Sequence, residues 1–378
     1  MNRNHIDMIL LLLVMIFTLP GISGADDEHT GGVKGLSKKM TKIETAMEKL
    51  KGIEKWFNKV TFSGTVEIEA GYGKIDFDDP FDDLAEKDEE SSDLALATAE
   101  LGIDADIAKH VKGHVLYMWE EDDSAVDLDE GFIMIDGEDK VPLYLNAGKL
   151  YVPFGYFNSH FICDPLTLEL GETRESAIVI GGGNDWLDLC LGTFNGDIDE
   201  TDDDDHINSF VASGIFTLPK DAVQGLRLTT GMSWISNIAD SDGLQGEDGV
   251  DGDAVNDSVG GFSAFISVSL IDRIFLEAEY LGAIDAFEAG ALAFDGGEAF
   301  KPETWNFEIA YAATENLEIG AKYEGSHDCG SYLPEKQYGC VAAYQLFENT
   351  SLAVEYLHGE FENNDEQDLA TAQLAIAF

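Results

Sequence analysis

Along most of this chain hydrophobic and polar residues alternate one for one. Over residues 60–72, Phe62, Gly64, Val66, Ile68, Ala70 and Tyr72 fall on one side of the alternation, and Ser63, Thr65, Glu67, Glu69 and Gly71 on the other. A period of two places successive side chains on opposite faces of an extended strand. Trp305, Phe307, Ile309 and Tyr311 likewise oppose Asn306, Glu308 and Ala310. Leu317, Ile319, Ala321 and Tyr323 oppose Glu318, Gly320, Lys322 and Glu324. Phe262, Ala264, Ile266, Val268 and Leu270 oppose a mostly serine face, and Ala370, Ala372, Leu374, Ile376 and Phe378 share one face of the final segment.

The pattern predicts sixteen strands, near 60–72, 92–106, 111–121, 126–136, 142–152, 174–182, 185–196, 205–218, 225–236, 258–270, 273–284, 301–312, 316–325, 336–347, 350–360 and 367–378. Most are close to the roughly 9–11 residues that cross a bilayer at a tilt. The segment 174–182 is short and ends in Gly181-Gly182-Gly183, and alternation leaves the facing of 205–218 open.

Connection lengths alternate too. Those after even strands are tight (107–110, 137–141, 183–184, 271–272, 313–315, 348–349), whereas most after odd strands are long and acidic (73–91, 153–173, 237–257, 285–300, 326–335). Short turns at one end and long loops at the other are the asymmetry of a transmembrane barrel, with the short turns in the periplasm. The expected fold is all-β: a sixteen-stranded antiparallel transmembrane β-barrel over 60–378, with both chain ends periplasmic. Tyr72, Trp119, Tyr151, Trp234, Tyr280, Trp305 and Tyr323, near strand ends, suit the aromatic girdles of such a barrel. A secreted or surface-bound acidic structural protein is the alternative; a soluble sandwich would show turn signals every 8–12 residues or so instead of this mixture.

The region before the barrel differs. Residues 8–19 are apolar except Thr18, follow Arg3 and His5, and precede Pro20 and the small residues Ser23, Gly24 and Ala25. That is the pattern of a signal peptide over 1–25, and the run is shorter than the roughly 20 residues of a spanning helix. Residues 26–59 are expected to hold a periplasmic linker and an α-helix from 33 onward. In that helix Leu36, Met40, Ile43, Met47 and Leu50 form a heptad-like seam among eight of the chain's 22 Lys and Arg. The seam fits either a helix packed on the barrel or a short coiled coil that joins three copies.

Charge narrows the partners. The chain has 378 residues, a formal charge of −52 and 44% hydrophobic content, enough for a folded body. Such acidity excludes nucleic acid as a partner. No Gly-x-Ser-x-Gly or His-Glu-x-x-His motif is present, and no enzymatic activity is expected. The acidic runs at 76–83, 86–90, 199–205 and 240–253 offer the oxygen ligands that Ca²⁺ and Mg²⁺ take. They read first as solvated loops, bridged to lipopolysaccharide by divalent ions, so no resident cofactor is expected.

With the apolar faces turned to lipid, the opposite faces line a lumen. They carry Glu67, Glu69, Glu100, Asp104, Glu120, Asp188, Glu277, Glu279, Glu308, Glu318, Glu324 and Glu355, against Arg227 and Lys322. Carboxylate rings favour cations. The connection 153–173 is more aromatic than its neighbours, with Tyr156, Phe157, His160 and Phe161, and it closes on Glu169, Glu172, Arg174 and Glu175. Its place after the fifth strand makes it the candidate constriction loop. Four cysteines allow two disulfides if the protein is exported. The expected pairs are Cys163–Cys190, pinning that loop to the wall, and Cys329–Cys340, closing an outer hairpin; free thiols are the alternative.

Several of these segments resemble one family. They are Ser91-Ser92-Asp93-Leu94-Ala95-Leu96-Ala97-Thr98, Gly148-Lys149-Leu150-Tyr151-Val152-Pro153-Phe154-Gly155, residues 164–175, Phe194-Asn195-Gly196-Asp197 and residues 205–210. They are similar to LbtU-type siderophore porins over about 60–378. The end of the chain on Phe378 also looks like the signal read by the barrel-assembly machinery. The resemblance implies an outer-membrane barrel that imports a ferric siderophore without TonB; diffusion of small solutes is the wider expectation, and the coiled-coil reading of the seam makes the protein a homotrimer. An anionic iron complex sits awkwardly with a carboxylate lumen; a general cation-preferring diffusion porin is the alternative.

Overall fold

A computed structural model describes residues 59–77, 89–121, 125–137, 140–201, 206–246, 249–250 and 254–378. The signal peptide and helix expected over 1–59 lie, except for Lys59, outside the described residues, as do parts of the acidic runs.

The alternating segments form sixteen strands among the described residues. They are β1 (Val60–Ser63 and Thr65–Asp76, interrupted at Gly64), β2 (Glu89–Ala108), β3 (Val111–Trp119), β4 (Asp127–Asp136), β5 (Leu143–Tyr151), β6 (Arg174–Gly183), β7 (Leu187–Phe194) and β8 (Ser209–Thr217). They continue as β9 (Leu226–Ile235), β10 (Gly261–Leu270), β11 (Ile274–Ala283), β12 (Glu303–Ala312), β13 (Leu317–His327), β14 (Lys336–Phe347), β15 (Thr350–Glu360) and β16 (Glu366–Ala377). Each pairs antiparallel with the next, and β16 returns to β1 from Glu366↔Asp76 to Ala377↔Thr65. Closure leaves no open sheet edge, the condition for a sheet to stand in lipid.

The seam is locked at its end. Gly64 and Phe378 exchange backbone hydrogen bonds at 3.1 and 3.0 Å. A Cβ on Gly64 would lie 2.5 Å from the Glu100 carbonyl oxygen and 2.6 Å from the Phe378 ring. Only glycine lets the last side chain lie across the first strand.

The outward face is apolar. Ile178, Ile180, Leu189, Leu191, Met232, Ile309, Ile319, Leu352, Val354 and Leu374 are all exposed, Leu191 at 68%. Glu277, Glu279, Glu308, Lys322, Glu324 and Glu355, on the opposite face, are buried. A water-soluble sheet protein has the reverse arrangement, with polar groups outside. Such a contiguous apolar exterior marks a surface that meets lipid.

At the long-loop end the connections are more structured than alternation suggested. A short helix, α1 (Leu166–Gly171), begins after Pro165, a residue tolerated at a helix start because its missing N–H has no intrahelical role there. A 3-10 turn at Ile238–Asp240 runs into α2 (Asp242–Gln245). Leu166, Leu170, Ile238, Leu244, Val250, Val255, Phe287, Leu292 and Leu333 form one buried apolar cluster. Each such side chain, fully buried, contributes about 1.5–3 kcal/mol. The cluster fixes the base of the loop that follows β5.

Candidate pore constriction

The connection between β5 and β6 does not stand above the barrel. Its outgoing leg lies on the inner wall and meets successive strands in order. The Gly155 N–H donates to Ser233 Oγ on β9 at 2.9 Å. The Tyr156 ring stacks on Phe265 of β10, with centroids 4.0 Å apart. The amides of Tyr156 and Phe157 donate to the two carboxylate oxygens of Glu279 on β11, each at 2.8 Å. Ser159 Oγ and the His160 N–H donate to Glu308 on β12 at 2.7 and 2.8 Å. The His160 ring meets Glu318 on β13 at 2.8 Å, and the Ile162 N–H reaches Glu355 on β15 at 2.6 Å. The return leg starts at Asp164, and the Leu166 N–H is held by Glu324 on β13 at 3.0 Å.

These bonds arise because the inward positions of β11, β12, β13 and β15 carry glutamate, long enough to reach a main chain laid against the wall. Carboxylates accepting N–H groups make hydrogen bonds roughly twice as strong as neutral ones. Lys322 is the single lysine in this clamp. Its Nζ is 3.1 Å from Glu324, 3.8 Å from Glu308 and 4.6 Å from the Phe161 ring centroid. For His160, burial alone pulls the pKa down, but the hydrogen bond and charge of Glu318, with Glu308 and Glu277, raise it on balance.

The lumen-facing residues expected from sequence therefore divide into two sets. Glu277, Glu279, Glu308, Lys322 and Glu355 do not line open water; they are buried beneath the loop. Glu67, Glu69 and Glu100 lie on β1 and β2, which hold none of the loop's amide anchors. The charge of Asp164, on the loop, reaches Glu67 and Glu69. Asp104 is bonded to His114 at 2.8 Å, and His114 also faces Glu130 at 3.3 Å. Asp188 accepts from the Tyr144 hydroxyl near the tight-turn end, where Arg227 pairs with Asp272.

Asp164, Glu169 and Glu172 share the return leg of the loop. Confinement inside the barrel raises the pKa of Asp164, with Lys322 opposing and Glu69 adding to the rise. Burial, then Asp164 and Glu324, raise Glu169. Burial, then Asp242, Asp164 and Asp129, push Glu172 up to about 7 against the pull of Arg174. Arg174 itself pairs with Asp129 at the long-loop rim. The return leg of the loop is thus acidic, as is the stretch of wall that carries Glu67, Glu69 and Glu100. The alternation pattern does not select Asp164, Glu130, His114 or Ser233; Asp164 and Ser233 meet their partners through the path of the loop, whereas His114 meets Asp104 and Glu130 across neighbouring strands.

The expected disulfides are not formed, and all four cysteines are free thiols. Cys163 lies against Glu355 on β15, whereas Cys190 is on β7, eight strands away in a ring of sixteen and so on the opposite wall. Cys329 is fully buried in the β13–β14 connection, while Cys340 is exposed on β14. Carboxylates, not a disulfide, hold the loop.

No protein-family model matches the chain. It is 27% identical over 312 residues to a UPF0422 protein of Coxiella burnetii, covering 79% of this chain and 64% of that one. A UPF0422 protein of Legionella pneumophila (strain Lens) is 26% identical over 306 residues, covering 70% of this chain and 54% of that one. The chain therefore spans less than two thirds of the length of these curated relatives. Among solved structures, an anion-selective porin from Comamonas acidovorans superposes with TM-score 0.55 at 12% identity, covering 84% of this chain and 99% of that one. Salmonella typhi OmpF in complex with daunomycin gives 0.53 at 11% identity, covering 84% and 97%. OmpT of Vibrio cholerae, an outer-membrane protein, gives 0.52 at 11% identity with the same coverage. The fold is that of the closed sixteen-stranded porin barrels.

Proposed function

We propose that this protein is an outer-membrane diffusion porin that prefers cations, with its tight turns and both chain ends in the periplasm. It acts as a passive channel, not as an enzyme. The observation that carries the reading is the unequal use of carboxylates inside the barrel. Those of the clamp accept hydrogen bonds from loop amides, whereas Glu67, Glu69 and Glu100 stay half-buried on two neighbouring strands of one wall, within reach of the Asp164 charge. A ring of carboxylates at a constriction concentrates cations and repels anions. The apolar exterior and the porin-type fold support the location. The neighbour from Comamonas is anion-selective by name, and the lining here argues for the opposite preference. Assembly as a homotrimer belongs to the same proposal, supported by the seam of residues 36–50.

Import of an iron-siderophore, implied by the family resemblance, is compatible with this passage for neutral or cationic complexes; an anionic complex meets the same carboxylates as a barrier. The test is the reversal potential of single channels in planar bilayers under a KCl gradient. Cation preference is expected, strongest in dilute salt because screening shortens with ionic strength. It should fall in the Glu67→Gln, Glu69→Gln, Glu100→Gln triple variant. Anion preference in dilute KCl, or a triple variant as selective as the parent, overturns the proposal. Added ferric siderophores that block the current identify a permeant or bound complex.

A further inference from the structure

Outside the lumen, one cluster at the long-loop rim has the composition of a metal site. His327 ends β13, Asp328 opens the connection to β14, and Glu362 lies in the connection between β15 and β16. One imidazole nitrogen and one oxygen from each carboxylate lie within 4.8 Å of one another. We infer that these three residues bind a single divalent transition-metal ion, of the Zn²⁺, Co²⁺ or Mn²⁺ class, which ties the two connections together.

Three features carry the inference. First, the separation between His327 and Asp328 fits two ligands of one ion better than partners of each other. His327 Nε2 and Asp328 Oδ1 are 3.7 Å apart, too far for a hydrogen bond. Two donors each about 2.1 Å from a shared ion stand roughly 3.0–3.7 Å apart at the bond angles such ions adopt. Second, the carboxylates are already oriented through other atoms. Asp328 Oδ2 accepts from the Lys301 N–H, and Glu362 Oε1 accepts from the Asp328 N–H, both at 2.9 Å. Each carboxylate thus keeps a second oxygen for a ligand, the arrangement by which outer groups fix metal ligands. Third, Asp328 has φ 54°, a left-handed conformation that Asp tolerates better than most residues. That backbone turns its N–H to Glu362 and its side chain to His327.

The donor set selects the ion class. Imidazole with two carboxylates suits Zn²⁺, Co²⁺ and Mn²⁺, whereas Ca²⁺ and Mg²⁺ prefer oxygen alone. Cys329 is adjacent in sequence but excluded, because it is buried with Sγ turned to the His327 carbonyl oxygen at 3.5 Å. Exposure of His327 and Glu362 gives the ion a direct path from solvent and leaves room for water to complete its shell.

The test uses the full chain without a histidine tag, folded in detergent. Zn²⁺ and Co²⁺ binding is followed by titration calorimetry, Co²⁺ also by its visible absorption. One equivalent is expected, undiminished by millimolar Mg²⁺. His327→Ala, Asp328→Asn and Glu362→Gln should each weaken it by at least about tenfold, the smaller loss known for groups that merely orient a ligand. Heat-modifiable gel mobility verifies that each variant is folded. The site is overturned if the parent binds no Co²⁺ or Zn²⁺, or if folded His327→Ala binds as tightly as the parent. A parent in which Mg²⁺ displaces Co²⁺ at equal concentration would show a diffuse acidic surface instead.

Discussion

Replacing Glu279 by glutamine tests whether carboxylates hold the constriction loop. Glu279 accepts from the amides of Tyr156 and Phe157 at 2.8 Å each, from Ser263 Oγ at 2.9 Å and from Thr167 Oγ1 at 3.4 Å. Hydrogen bonds to a charged acceptor contribute about 1.5–3 kcal/mol each. The two short amide bonds therefore hold the outgoing leg by roughly 3–6 kcal/mol. Glutamine keeps one carbonyl oxygen and turns an NH₂ toward the other amide, so about half of that hold is lost. The equilibrium between seated and released loop should shift by between about ten- and a hundredfold. In planar bilayers the parent should give steady current at one conductance. Glu279→Gln should show added transitions between levels, with barrel insertion unchanged because β11 keeps its backbone ladder. The double variant Glu279→Gln, Glu308→Gln should be noisier still. Quiet currents at the parental conductance from the double variant would refute the clamp.

Three further outcomes follow from other parts of the molecule. Gly196→Ala should lower stability by about 1–3 kcal/mol, the usual cost of overpacking. Its Cβ would land on the Asp240 carboxylate, which is fully buried and held by Ser209 and Asn237, and heat-modifiable mobility at rising temperature reads the loss. Glu172, raised from 4.5 to about 7, binds its proton more tightly folded than unfolded, so its contribution to stability is intact below about pH 4.5 and falls as pH rises toward 7. The transition temperature should decline across that window, and Glu172→Gln should flatten the decline; an identical slope in the variant would assign it to other groups. Deleting residues 33–55 should leave the barrel inserted but weaken the trimer on native gels, and an unchanged trimer would reduce the heptad seam to an amphipathic face.

The barrel was legible in the sequence because its cause is local. Lipid outside and polar groups inside impose a period of two on every strand, and any stretch such as 305–311 or 317–323 shows it without knowledge of its neighbours. Turn lengths added the up-and-down order. β2 departs at both ends, observed over Glu89–Ala108 against an expected 92–106, because the strand runs on into the acidic connection. The site was only partly legible. Parity identified Glu279, Glu308 and Glu355 as inward, but not which of them would be covered. That depends on where a chain of some twenty residues lies inside a closed ring, and no periodicity encodes the path. The same gap misled the disulfide assignment: Cys163 and Cys190 share the inward side, but parity does not distinguish near wall from far wall.

The manner in which the clamp is satisfied bears on selectivity. Six glutamates, Glu277, Glu279, Glu308, Glu318, Glu324 and Glu355, surround the seated loop with Lys322 and His160 among them. Had the loop been held by lysine and arginine side chains, each anchor would have cancelled one charge. Backbone amides satisfy the same oxygens while adding no formal charge, so most of the negative charge of the wall persists. In a channel with low-dielectric walls that charge acts beyond its own contacts. On the proposed reading the clamp and the open carboxylates therefore cooperate: Glu67, Glu69, Glu100 and Asp164 meet the permeant ion directly, and the covered glutamates add to the same field from behind the loop. Neutralising Glu308 should then reduce cation preference even though the permeant ion never touches it, by less than neutralising Glu67. If selectivity proves indifferent to Glu308, the field of the passage comes from its exposed carboxylates alone, and the clamp is purely mechanical.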